Sequence, residues 1–159
     1  VGWLDLLTMT GVSIYFQQSL RIAMDTIYWL KLYLLTIPLF FAIDMIWLGY
    51  AARNFYKTQL NHLLSPDVNW PAAFLFYFIY IIGIIFFAVR PGLEVESLVR
   101  TCVLGALFGF FTYATYDLTN LATLRNWPLP VVVVDILWGT VLCTLVAGGS
   151  YLIGTWLNT

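Results

Sequence analysis

Four apolar stretches, at about 26–52, 70–89, 97–124 and 129–157, take up most of this chain. Each meets or exceeds the roughly 20 residues an α-helix needs to cross a hydrocarbon core about 30 Å thick. Inside lipid no water relieves an unpaired N–H or C=O, so a spanning segment must satisfy its own backbone, as a helix does. The prediction is therefore an all-α integral membrane protein, a bundle of four transmembrane helices. Charge supports it. Only 9% of the 159 residues are charged, whereas a soluble domain carries about a quarter because its surface faces water. The net charge of −1 leaves no basic face for a nucleic acid.

Residues 1–23 fit this scheme least well. The stretch 3–16 is largely apolar, but Asp5 interrupts it and no basic segment precedes it, which makes a poor signal peptide. The uncharged run 6–20 is short for a full crossing. It reads either as an interfacial helix or as a fifth, short or tilted, span. The sequence opens on Val, and Met24 is an alternative initiator that would make the extension dispensable.

Punctuation divides the rest, residues 24–159, which read as a single transmembrane helical domain. Tyr28, Trp29 and Lys31 form an interfacial entry to the first span, with the lysine reaching back to the headgroups. Pro38 removes a rung of the hydrogen-bond ladder and predicts a bend. In residues 54–64, Tyr56, Leu60, Leu63 and Leu64 recur at helical spacing opposite Lys57, Asn61 and His62, which predicts an amphipathic helix on the membrane surface. Asn69-Trp70-Pro71 opens the second span as cap, anchor and first-turn proline, and Arg90-Pro91-Gly92 closes it. Gly105 and Gly109, a small-xxx-small pair, predict close helix packing within the monomer. Asn126-Trp127-Pro128 repeats the opening tripeptide before the fourth span, either as a parallel repeat of two hairpins or as capping chemistry used twice. Trp29, Trp70, Trp127 and Trp156 read as belt residues at span ends. Arg21, Lys31, Arg90 and Arg100 on one side face Arg53, Lys57 and Arg125 on the other. That balance leans towards a cytoplasmic location for the side carrying Met24 and residues 90–100; counted from Met24 alone it is even.

The polar residues inside the apolar runs carry the functional argument. Residues 113–123 place Tyr113, Tyr116, Asp117 and Asn120 among three threonines, on a helix that lipid should surround. At about 1.5 Å rise per residue, Asp44 and Asp117 lie about 10 Å from the ends of their spans and Asp135 about 9 Å from the start of its own. All three therefore fall at one level, on the Asn-Trp-Pro side. An aspartate at mid-helix costs about 2.5–3.5 kcal/mol on insertion scales, so such acids face one another or water rather than lipid. Asp117 needs partners, and Asp44 and Asp135 are the groups to meet it. Tyr113, Asp117 and Asn120 form one stripe, while Asp44 with Trp47 and Asp135 with Trp138 present an acid and an indole on the facing helices. Three close carboxylates cannot all ionise cheaply, and Asp135 is the one that its helix N-terminus favours as the anion.

Two readings of this layer stay open. It is a hydrogen-bond network joining helices, or a site for a polar small molecule, a lipid headgroup, a proton or a cation. No spacing demands a metal. His62 is the only histidine and sits in the surface helix, and Cys102 and Cys143 read as small packing residues. The sequence names no cofactor. It lacks a Gly-rich phosphate loop and the histidine placement of a catalytic triad, so the reading leans away from an enzyme; a lipid-modifying one would have carboxylates but no visible nucleophile.

The segments Ile43-Asp44-Met-Ile-Trp47-Leu-Gly49, Phe55-Tyr56, Asn69-Trp70-Pro-Ala-Ala, Tyr113-Ala-Thr-Tyr-Asp-Leu-Thr-Asn-Leu-Ala-Thr and Asp135-Ile-Leu-Trp138-Gly139 together resemble a bacterial family of small predicted membrane proteins. That family is catalogued as domain of unknown function 2177. The resemblance runs from about Met24 to the C-terminus, leaving residues 1–23 outside. It implies a multi-pass bacterial inner-membrane protein and brings no activity, substrate or catalytic residue. The partners in view are the lipid bilayer and a lipid, a pigment or another membrane protein. The functional expectation is a small-molecule or ion site in the acidic layer; the alternative is an accessory subunit packed against a larger, pigment-binding membrane complex.

Overall fold

The structure is a computed structural model describing residues 3–158, with side chains over 24–50 and 52–158. Helix α1 (Trp3–Ile46) is followed by α2 (Arg53–Leu60), α3 (Trp70–Ile84), α4 (Arg90–Glu94), α5 (Leu98–Thr123) and α6 (Leu129–Leu157). No strand occurs among the described residues. Among the described residues four stretches are long and apolar enough to cross a membrane: Met24–Tyr50, Trp70–Glu94, Leu98–Thr123 and Leu129–Leu157. The chain is thus an all-α membrane bundle of the predicted kind. The expectation of an interfacial or fifth helix in residues 1–23 lies outside the residues described with side chains. Pro38 is accommodated inside the continuous helix α1.

Two π-helical turns set the span ends. At Trp47–Ala51 the Ala52 N–H reaches Trp47 O at 2.8 Å, a five-residue step. At Ile85–Val89 the Arg90 N–H reaches Ile85 O in the same way. The second turn corrects a predicted boundary. In an unbroken α-helix the Pro91 ring would meet the carbonyl one turn back. The wider turn before it lets the helix restart with proline in its first turn, so the second span runs on to Glu94 instead of closing at Val89. Arg90 and Glu94 then pair on the exposed side at 2.9 Å. The chain reverses at Glu96, whose φ is 52°, and Ser97 caps α5 by accepting from the Arg100 N–H at 3.2 Å.

Helix α6 is central, packed against α5 on one flank and α1 on another. In lipid, helices associate by packing and interhelical polar contacts rather than by escape from water, which favours small residues at crossings. A Cβ on Gly105 would sit 2.7 Å from Cys143 O, and one on Gly109 would sit 2.9 Å from the Cys143 Cβ. The small-xxx-small pair therefore packs within the monomer, as expected. On the other flank a Cβ at Gly149 would lie 2.7 Å from Leu39 Cδ2, and Thr36 and Ser150 share a buried hydrogen bond of 2.9 Å. Leu32, Phe40, Ile81, Ile84, Leu142 and Val146 fill the space between. Cys102 and Cys143 are both free.

The two Asn-Trp-Pro copies differ in conformation, which speaks against a structural repeat. Asn69 caps α3, its side chain accepting from the Ala72 N–H at 3.2 Å. Asn126 has φ 60° and caps nothing. It occupies the left-handed region that asparagine tolerates better than most residues, and the following Trp127 turns back onto the end of α5, against Tyr116.

Candidate functional site

The end of the bundle on the Asn-Trp-Pro side gathers the predicted residues in two linked groups. The first centres on Asp44 of α1, only 5% exposed. Tyr77 of α3 donates to its Oδ2 at 3.4 Å, and the Trp138 indole of α6 lies beside it. The second centres on Asp135 of α6. Trp47 Nε1–H donates to the Tyr56 hydroxyl at 3.2 Å, and Tyr56 donates in turn to Asp135 Oδ1. The Trp47 and Trp138 rings stack and join the two groups.

Local sequence explains how Tyr56 arrives there. The π-helical turn at Trp47–Ala51 adds a residue to the last turn of the span, and the chain re-enters a helix at Arg53. The eight-residue α2 thereby aims Tyr56 into the bundle, and the expected surface helix becomes partly a lid over the acids. Leu63 and Leu64, expected on its apolar face, remain exposed. Burial, and then the Asp135 carboxylate, push the Tyr56 phenol well above the ordinary tyrosine range. At neutral pH it is a fixed donor.

Asp117 differs from both other acids. It is 0% exposed, and neither carboxylate oxygen has a hydrogen-bond partner among the described residues. Asp135 is near enough to repel it. The Trp127 indole stands on its other side, yet the buried Trp127 Nε1–H stays outside hydrogen-bonding geometry, as does Trp138 Nε1–H beside Asp44. Asp117 is therefore not the hydrogen-bonded hub expected from the sequence; Asp135 holds that place. Asn120 sits beside Tyr116 on the same helix. Tyr113 packs against the bare backbone of Gly139, where a Cβ would overlap its ring and fall 2.6 Å from Cε2.

Sequence reasoning missed Tyr56, Tyr77 and Trp127 as members of this layer. Only Tyr56 carried a signal, as part of the Phe55-Tyr56 pair. Trp127 read as a belt residue, and the left-handed Asn126 that turns it inward has no distinctive spacing. No group of three or more His, Cys, Asp or Glu suited to a metal ion occurs among the described residues.

The arrangement holds two mutually repelling carboxylates, one fully occluded, within a ring of phenols and indoles, and among the described residues neither forms a salt bridge. Chemically it suits a guest that brings positive charge or hydrogen-bond donors. A family model described as predicted membrane protein (DUF2177) matches residues 29–152. No curated protein and no solved structure matches the chain.

Proposed function

Since this chain belongs to the DUF2177 family of predicted membrane proteins, we propose that it is a multi-pass protein of the bacterial inner membrane that binds a polar small molecule in its acidic layer. Asp117 and Asp135 supply the negative charge. Tyr56 and Trp47 hold Asp135 in place, and Tyr113, Tyr116 and Trp127 give the aromatic surround. The side carrying Met24 and residues 90–100 is cytoplasmic in this reading, which puts the layer in the opposite leaflet.

Asp117 is the observation that supports this reading. A network that only joins helices satisfies its members, because a buried polar group without a partner costs about 1–3 kcal/mol. Asp44 is satisfied in that manner by Tyr77, and Asp135 accepts from Tyr56 at Oδ1. Asp117 is not so satisfied, and a bound donor or cation accounts for it. The accessory-subunit reading rests on the exposed rings of residues such as Phe74, Phe78 and Phe111, which acyl chains cover equally well.

Native mass spectrometry of the full chain, extracted with its lipids, tests the proposal. The wild type is expected to carry a small molecule that Asp117→Asn loses while staying folded. Identical spectra for the two proteins would contradict it.

A further inference from the structure

Between α3 and α5 the bundle opens into a cleft of about 370 Å³. Phe76 and Tyr80 line one wall and Thr112, Tyr113 and Tyr116 the other, with Asp135 from α6 among them. Phe76 and Tyr116 are themselves exposed on the flank of the bundle, so the cleft is entered from the side. We propose that it is a lateral portal through which a lipophilic organic cation passes from the bilayer to Asp135. The proposal rests on the acidic layer being a ligand site and names the chemical class of the ligand.

Charge, shape and depth converge on that class. Asp135 is the one acidic residue lining the cleft, and no lysine or arginine lines it. Tyr56 occupies Oδ1 of that carboxylate. Four aromatic rings border the opening, and the faces of such rings attract cations. The volume lies within the roughly 300–1,000 Å³ of small-molecule sites. Asp135 sits six residues into α6, about 9 Å along the helix, a depth at which an amphiphile keeps its charge near the headgroups and its body among the chains. A phospholipid headgroup fits less well, since its phosphate would enter a cleft that offers an anion no basic partner.

Tetraphenylphosphonium, a lipophilic cation with no proton to exchange, is the probe. Its binding to the full chain in a maltoside detergent can be followed by calorimetry, with tetraphenylborate as the anion of matching shape. Saturable binding of the cation but not of the anion is expected. Asp135→Asn, which keeps an acceptor for Tyr56, should abolish it. Phe76→Ala, at a position exposed on the flank of the bundle, should weaken it several-fold, the scale of one partly exposed cation–ring contact. Equal binding of the borate, wild-type affinity in both variants, or equal competition by a phosphocholine lipid would each overturn the portal. Failure of the wild type to bind the phosphonium would overturn it too. If that protein still carried an Asp117-dependent molecule, the ligand-site reading would survive without the portal.

Discussion

The Trp47 and Trp138 indoles stack with ring centroids 4.4 Å apart and planes within 7° of parallel. Both tryptophans lie away from the predicted belt, and their contact ties the end of α1 to α6 at the level of the acids. Trp47 also holds Tyr56, so one side chain couples the stack to the Asp135 hydrogen bond.

Trp47→Ala should therefore lose the stack, worth about 0.5–1.5 kcal/mol beyond burial, and the bond to Tyr56. Trp47→Phe keeps a ring and loses only the N–H donor, at about 0.5–1.5 kcal/mol. Thermal unfolding in detergent should rank wild type above Phe and Phe above Ala. Equal midpoints for Phe and Ala would show that the stack contributes nothing.

Tyr56→Phe removes the donor to Asp135, a bond to a charged group worth about 1.5–3 kcal/mol. The phenol's folded value lies above the ordinary one near 10. Its contribution should be complete below about pH 10 and fade as the pH rises towards the folded value. Unfolding midpoints of wild type and Tyr56→Phe should thus differ at neutral pH and converge in strong alkali. A constant gap at every pH would contradict the assigned hydrogen bond.

Glycine substitutions separate packing from turn geometry. Gly109→Ala places a methyl 2.7 Å from the Gly139 carbonyl carbon and should force α5 from α6, costing about 1–3 kcal/mol. Gly49→Ala, in the π-helical turn, meets nothing within 4 Å and should leave stability unchanged or slightly raised. Reversal of that order in thermal unfolding would contradict the α5–α6 contact.

Span number was legible because hydropathy is a local property. The connections within the layer were not. Tyr56 reaches Asp135 through a π-helical turn, and no propensity scale marks an inserted residue at Trp47–Ala51. Trp127 meets Asp117 through one left-handed asparagine, although an identical tripeptide at Asn69 begins a helix with its tryptophan exposed. Pro91 read as a stop because the α-helix forbids it there; the turn that absorbs it becomes visible only in three dimensions.

The central claim, that Asp117 serves a ligand and not the fold, is tested most directly by thermal unfolding of ligand-depleted wild type and Asp117→Val. Valine is apolar and of similar reach, so it removes a buried carboxyl that lacks a partner. The account predicts that the valine protein unfolds at the wild-type temperature or above it, by up to the equivalent of about 1–3 kcal/mol. Unfolding several degrees below the wild type would show that Asp117 holds the helices together, and would contradict the account.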